Sequence, residues 1–175
     1  AVSGLDADFE EDSELAPSFH LGAFARHQLD DRLGLQVELL YSRKGSQTTS
    51  GAPGARPETV RINLHYLCLP VLLDVRLGVI HLEGGTELGY LLDVTQSPDP
   101  VFFDPDDVYD TDFDLGLAGG IRYYKDRLSL GLRYVHGLGN VSSITFTDVN
   151  NEPVDEGAWR NRVVMVTVGF RLVGE

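Results

Sequence analysis

Long segments of strict period-two alternation constrain this chain more than any other feature. Apolar residues recur at every second position over about 11 to 18 residues, whereas the three-to-four-residue spacing of an amphipathic helix is hard to find. Globular strands usually run about 5–6 residues, and a tilted strand that crosses a bilayer needs about 9–11. The pattern therefore predicts an all-β chain with seven long strands. They are Phe19–Leu29, Leu33–Gly45, Thr59–Arg76, Ile80–Asp93, Thr111–Lys125, Leu128–Gly139 and Arg162–Leu172.

The connections between these strands alternate strictly between short turns and long polar loops. The turns are 30–32, 77–79 and 126–127, and the loops are 46–58, 94–110 and 140–160. Short turns at one end and long loops at the other are typical of bacterial outer-membrane barrels. We predict an antiparallel up-and-down meander that closes into a small, about eight-stranded transmembrane β-barrel.

The apolar face of each strand carries aromatic residues near its ends. Such residues gather at the two interfaces of a membrane, on either side of an aliphatic band. At the long-loop end the predicted belt consists of Tyr41, Tyr90, Phe113 and Tyr134. At the short-turn end it consists of Tyr123 and Phe170. These belts favour an outward, lipid-facing orientation of the apolar faces.

The opposite faces hold small residues and an equal number of acids and bases. The ten charged residues are Arg26, Glu38, Asp74, Arg76, Glu83, Glu87, Asp114, Arg122, Arg133 and Arg171. Charges enclosed in a small membrane barrel must be paired, because an unpaired buried charge is costly. We therefore predict a filled lumen with a charge network. Its main members are Glu38, Glu83, Glu87, Arg122, Arg133 and Arg171.

The net charge of −13 argues against a nucleic-acid partner, which needs a basic face. Of the 27 acids, 17 lie in the segment before Phe19 or in and beside the second and third long loops, all at the long-loop end. We expect acidic extracellular loops that are available to an unknown protein partner, and a monomer whose main partner is the lipid bilayer. The single cysteine, Cys68, excludes a disulfide framework and a cysteine-based zinc site.

No catalytic motif or cofactor-binding motif emerges from the sequence, and we predict neither a catalytic residue nor a cofactor. Asp110, Asp112 and Asp114 imitate the start of a calcium-binding EF-hand loop, but Leu115 stands where that loop needs glycine. They form a weak candidate metal site, and a solvated acidic loop is the simpler interpretation.

Two other functions stay open at this point. A soluble, lipocalin-like barrel that binds a small hydrophobic ligand requires the leucine and valine faces to point inward. A membrane-embedded lipid-modifying enzyme could use His65 or His136 at the outer rim, together with Ser42 or Ser142.

Five segments, in this order along the chain, resemble the PorT-like outer-membrane β-barrel family. They read LGLQVELLYSRKG (33–45), YLCLPVLLDV (66–75), LEGGTELGYLL (82–92), LRYVHG (132–137) and NRVVMVTVGFRL (161–172). The resemblance implies an eight-stranded antiparallel barrel in the outer membrane of Gram-negative bacteria, and it implies no particular biochemical activity. Family members often carry an acid where this chain has Cys68.

The strand count bears on how the barrel closes, because single-chain bacterial barrels have even numbers of strands. We expect either that a first strand and a signal peptide precede Ala1, with Ala1–Leu5 as a remnant, or that Val141–Thr147 supplies another strand. The chain is thus predicted to be one barrel domain over 1–175. In it, 1–18 form an acidic loop or first-strand remnant and 19–172 form the barrel strands.

Overall fold

The computed structural model describes residues 2–7, 14–50, 58–97, 102–103, 113–139, 142–147 and 153–172, with side chains over 18–45, 61–95, 113–139 and 161–172. Regular structure in these residues is entirely β. The strands are β1 (Val2–Ala7), β2 (Glu14–Pro17), β3 (Phe19–Gln28), β4 (Leu33–Ser50), β5 (Glu58–Leu77), β6 (Ile80–Ser97), β7 (Phe102–Phe103), β8 (Phe113–Lys125), β9 (Leu128–Gly137), β10 (Ser142–Thr147) and β11 (Pro153–Phe170).

Seven of these strands form the predicted antiparallel meander. Neighbours pair in the order β3–β4–β5–β6–β8–β9–β11, which confirms the all-β, up-and-down architecture. The three short turns lie where the sequence placed them, after β3, β5 and β8. In the turn after β3, the Asp30 carboxylate accepts hydrogen bonds from the backbone N–H groups of Arg32 and Leu33, both at 2.7 Å.

The strands extend farther into the polar stretches than the alternation predicts. β4 and β5 pair as far as Ser50 and Glu58, and β11 begins at Pro153 instead of Arg162. The reason is that a backbone ladder is held by N–H and C=O groups and needs no apolar side chains. The predicted strand at Val141–Thr147 exists as β10, but it pairs as a hairpin with the first part of β11.

β1 joins the two ends of the curled sheet at the long-loop end. It pairs antiparallel with residues 159–164 of β11 and with β2, and β2 pairs with β4. Toward the short-turn end this link is missing. There, within the residues that the structure describes, β3 pairs only with β4, and residues 165–170 of β11 pair only with β9.

Pro70 lies in the interior of β5, between β4 and β6. A proline in a strand usually marks an edge or a bulge, since it has no N–H to donate. Here the β4–β5 ladder keeps one register on both sides of the proline, and pairing is interrupted only between Val71 and Cys68. The Pro70 ring is buried. Two positions of β4 have no ladder partner on β5 at this point, and this gap accommodates the missing N–H of Pro70.

Successive side chains alternate between an enclosed inner face and an exposed outer face. On β9, Arg133 is 2% exposed and the adjacent Leu132 is 49% exposed. The exposed face is dominated by large apolar residues on all seven strands of the meander. Examples are Leu39, Leu73, Leu88, Leu117, Leu130 and Val166. The lipocalin-like alternative is therefore wrong in its main requirement, because these faces point outward.

Candidate functional site

The charged inner face is the most specialised part of the molecule. Its centre is a group of four residues from four strands, which we call the Arg–Glu network: Glu38, Glu83, Arg122 and Arg133. All four side chains are at most 6% exposed. β6, β8 and β9 are consecutive in the sheet, whereas β4, which carries Glu38, lies two strands beyond β6.

Arg133 is the hub of the Arg–Glu network. Its two terminal nitrogens donate to the two oxygens of Glu38 at 2.8 and 2.6 Å, and one of them also donates to Glu83 at 2.9 Å. Arg122 donates through Nε to Glu83, and one of its terminal nitrogens lies 3.5 Å from Glu38. Two arginines thus balance two glutamates, and the Arg133–Glu38 pair crosses the lumen.

A glycine makes room for these contacts. Gly120 lies between Glu83 and Arg133 in the ladder, opposite both of them. A Cβ at Gly120 would lie 2.6 Å from the carbonyl oxygen of Leu132 and 3.2 Å from the Cβ of Arg133. The absence of a side chain here lets Arg133 reach along the inner wall to Glu83.

A second paired group lies next to the Arg–Glu network, toward the short-turn end. Arg26 forms a salt bridge with Asp74, and His81 Nδ1 lies 2.8 Å from the same carboxylate. The His81 ring packs against Tyr124, with centroids 4.5 Å apart, and the Tyr124 hydroxyl donates to Gln36 at 3.3 Å. Gln36 in turn donates to Glu38, so the two groups are continuous.

Toward the long-loop end lies a separate group, which we call the lysine cluster: Lys44, Glu87, Asp114 and Asn161. Lys44 Nζ is 3.0 Å from Glu87 and 3.8 Å from Asp114, and it lies over the Tyr66 ring at 4.8 Å. Asn161 donates to Asp114 at 2.7 Å. Here two carboxylates share one cation, and one oxygen of each has no hydrogen-bond partner among the described residues.

The sequence-predicted network is therefore divided between these groups. The structure brings together Glu38, Glu83, Arg122 and Arg133, and it places Glu87 in the lysine cluster. Arg171 lies at the short-turn end, where its guanidinium donates to the Asp126 carbonyl at 3.1 Å. Arg76, which was also expected inside, is exposed beside its turn and donates to the Gly78 carbonyl.

Sequence reasoning missed Lys44 and Asn161. Lys44 has the same parity as Glu38 on β4, so the alternation could have found it. Asn161 could not be found this way, because the polar sequence before residue 162 gave no sign that β11 continues there.

The predicted aromatic residues all lie on the outer face and are partly exposed. Tyr41, Tyr90 and Phe113 fall on one row of the ladder, which also contains Leu67, and the Tyr90 and Phe113 rings are 5.2 Å apart. Tyr134 packs on His136. At the opposite end, Tyr123 and Phe170 lie two and one residues from Lys125 and Arg171. Their role as membrane belts stays a prediction.

Of the three candidate calcium residues, the structure describes only Asp114. Asp110 and Asp112 lie outside the described residues, and Asp114 points into the barrel toward Lys44 and Asn161. Among the side chains that the structure describes, no group of three or more His, Cys, Asp or Glu residues could hold a metal ion.

Of the residues proposed for a lipid-modifying enzyme, Ser42 and His65 do not come together. Ser42 is buried on the inner face of β4, whereas His65 lies on the outer face and bonds to the Tyr41 hydroxyl at 2.6 Å. His65 also contacts Thr95 at 3.3 Å. Ser42 and His65 thus lie on opposite sides of the sheet wall. The side chain of Ser142, the partner considered for His136, is outside the described part of the chain.

Comparison with known families agrees with this geometry. A family model described as "outer membrane protein beta-barrel domain" matches residues 2–143, which is most of the chain. The chain belongs to this family. As an outer-membrane β-barrel protein it is located in the outer membrane, and the exposed apolar face is the surface that meets lipid. A search of curated proteins found no match.

In this outer-membrane protein, β-strands cross the bilayer. The described residues contain no helix that is long and apolar enough to span a membrane. In bacterial outer-membrane barrels the long loops generally lie on the extracellular side and the short turns on the periplasmic side.

Proposed function

We propose that the protein is a small outer-membrane barrel of structural or interaction type, with a filled, charge-paired lumen and acidic extracellular loops that contact a protein partner. The observation that carries the first part is the Arg133–Glu38 pair, which crosses the lumen at 2.6–2.8 Å. Side chains that meet across the lumen leave no wide aqueous path. A transport function would need such a path.

The interaction role rests on where the charge lies. The charges of the Arg–Glu network cancel, as do those of Arg26 and Asp74, so the net charge of −13 belongs mainly to the long-loop end. A surface of one sign favours association with a basic partner and repels acidic ones. We also propose that the chain belongs to the PorT-like branch of the family, on the strength of its five ordered segments.

Conductance in planar bilayers tests the filled lumen. The protein should show no stepwise conductance under conditions in which a trimeric porin control conducts. The double variant Glu38→Ala/Arg133→Ala removes the pair that crosses the lumen and should produce measurable channel events if it still inserts. Stable conductance by the unaltered protein would contradict the proposal.

Charge neutralisation tests the interaction role. In native membranes, a photo-crosslinker placed in the 94–110 loop should give one reproducible protein adduct. Replacing Asp104, Asp106 and Asp107 with Asn should reduce the yield at least fivefold at low salt, and added salt should reduce the yield of the unaltered protein, because the attraction is electrostatic. Neutralising Asp30 and Asp31 at the other end is the matched control. An adduct yield that does not depend on the loop charges would contradict electrostatic recognition.

A further inference from the structure

A tyrosine, a histidine and an arginine come together on the outer face at the long-loop end of β4 and β5. Nδ1 of His65 lies 2.6 Å from the Tyr41 hydroxyl, and Arg43 is the ladder partner of His65. Nε2 of His65 lies 3.3 Å from Thr95 Oγ1, so both ring nitrogens have partners. We call Tyr41, His65 and Arg43 the first Tyr–His–Arg set. Its arginine is the member that always carries a positive charge.

The guanidinium of Arg43 is held in place by a ring and has no described anionic partner. Its Cζ lies 5.1 Å from the centroid of Phe19, the ladder partner of Arg43 on β3. Nε of Arg43 is buried without a hydrogen-bond partner, and none of the salt bridges among the described side chains involves Arg43. The same ladder row continues through His65 to Asp93, whose carboxylate accepts the Val94 N–H at 2.8 Å. A half-buried arginine of this kind is suited to an anion from outside the protein.

β9 and β11 carry a second set of the same composition. The Tyr134 hydroxyl lies 3.4 Å from Nδ1 of His136, and the two rings are stacked with centroids 6.3 Å apart. Arg162 is the ladder partner of His136, and its side chain is exposed. In both sets, therefore, the histidine that contacts a tyrosine hydroxyl lies directly opposite an arginine. We call Tyr134, His136 and Arg162 the second Tyr–His–Arg set.

Both arginines lie just beyond the tyrosines, on the side of the long loops. Arg43 follows Tyr41 by two residues, and Arg162 lies opposite His136, which follows Tyr134 by two residues. Two residues of strand correspond to about 7 Å. The polar layer on each side of the hydrocarbon core is about 5–8 Å thick, and tyrosines gather at its inner boundary. Long arginine side chains at this height reach the lipid headgroups.

The two arginines are opposite in sign to the loops beyond them. The chain has a net charge of −13, and 17 of its 27 acids lie at the long-loop end. A layer of anionic headgroups repels such loops, and cations on the wall between the two offset this repulsion. Arginine suits the task better than lysine, because its planar guanidinium matches the oxygens of a phosphate with two parallel hydrogen bonds.

We propose that the two Tyr–His–Arg sets bind lipids of the outer leaflet by their phosphate groups, with the guanidinium groups of Arg43 and Arg162 as donors. The tyrosine of each set contacts the part of the lipid that lies below the phosphate. Because the long loops of bacterial barrels generally lie on the extracellular side, the leaflet at this height is the outer one. The sets are separate from the acidic loops, so failure of this proposal would leave the proposed protein partner unaffected.

Native mass spectrometry of the full chain in detergent measures the binding. The probe is diphosphoryl lipid A, and the comparison lipid is the same glycolipid without its phosphates. EDTA is present, so that no divalent cation can link the lipid to the acidic loops. The protein should bind the phosphorylated lipid at least tenfold more tightly than the phosphate-free lipid.

Variants of the two arginines test which residues bind the phosphate. The double variant Arg43→Gln/Arg162→Gln should bind the phosphorylated lipid at least tenfold more weakly than the unaltered protein. Arg43→Lys/Arg162→Lys should fall between the two, because lysine keeps the charge but lacks the planar fork. The matched control is Arg32→Gln/Arg127→Gln, which removes two exposed arginines at the short-turn end and should change the affinity less than twofold.

Four results would overturn the proposal. Full affinity of the glutamine double variant would show that Arg43 and Arg162 do not bind the phosphate. An equal loss in the control would show that only net charge matters. Equal binding of the two lipids would mean that the surface recognises acyl chains alone. Competition by inorganic phosphate at the concentrations at which the lipid binds would identify a free anion as the ligand.

Discussion

The inner and outer faces of the same strands obey different rules. On the inner face, Arg133 makes hydrogen bonds to Glu38 and Glu83 at defined distances, and Gly120 must lack a side chain to allow them. On the outer face, Leu132 and Val166 are exposed, and what they share is apolar character. An inner-face position thus needs a specific side chain, whereas the adjacent outer-face position needs only an apolar one.

The difference has a simple physical origin. Lipid accepts any apolar side chain of suitable size, whereas a buried charge needs a partner at the right place. The inner face should therefore tolerate few substitutions and the outer face many. Matched pairs of adjacent residues can test this directly.

The largest effect is expected from Arg133→Ala. The change leaves Glu38 without its main partner and Glu83 with Arg122 alone, so the free energy of unfolding should fall by about 3–5 kcal/mol. Leu132→Ala, on the outer face next to it, should cost about 1 kcal/mol or less, since the site stays apolar. Urea unfolding in lipid vesicles measures both. Similar losses of unfolding free energy at the two positions would contradict the difference between the two faces.

Lys44→Met should lower the free energy of unfolding by about 3 kcal/mol, because Glu87 and Asp114 then face each other without a cation. Adding Glu87→Gln should recover part of this loss, with a coupling energy of about 1–3 kcal/mol in a double-mutant cycle. Arg43→Met, one residue away and facing outward, is the control. Additive effects of Lys44 and Glu87 would show that the lysine cluster does not act as a unit.

Two adjacent glycines on β6 allow the inner and outer faces to be compared without any change of charge. A Cβ on the inward Gly85 would lie 2.1 Å from the Val71 carbonyl oxygen, whereas a Cβ on Gly84 would meet nothing within 4 Å. Gly85→Ala should lower the free energy of unfolding by about 1–3 kcal/mol. Gly84→Ala should change it by about 0.5 kcal/mol or less. The same unfolding assay would contradict this if Gly84 were the sensitive position.

The smallest effect concerns the turn outside the membrane. Backbone hydrogen bonds from Arg32 and then Leu33 lower the pKa of the exposed Asp30 carboxyl. A lowered folded-state pKa stabilises the fold above the ordinary carboxyl value of about 3.9, and this stabilisation is lost as the pH falls through the lower value. Asp30→Ala should therefore lower Tm slightly at pH 7, and this difference should shrink as the pH falls below the ordinary carboxyl pKa. Asp31→Ala is the control, and an equal Tm change in both variants would contradict the assignment.

The sequence predicted the meander, the turns and the direction of each face, because period two determines them locally. It could not predict the partners inside the lumen. The Arg133–Glu38 pair joins residues 95 positions apart, and it depends on how far the sheet curls. Arg171 and Arg76 show the same limit. The period-two alternation places both on the inner face, but they lie close to the turns, where side chains reach solvent.

Spin-label accessibility along β9 tests the account most directly. Single cysteines are placed at positions 129 to 135 of a Cys68→Ser protein, labelled and reconstituted in lipid vesicles. Collision with molecular oxygen should be high at Leu130, Leu132 and Tyr134 and low at Ser129, Gly131 and Val135, with a period of two residues. A reversed pattern, or accessibility to a water-soluble nickel complex at positions 130 to 134, would contradict a membrane barrel with an apolar exterior and a filled, charged interior.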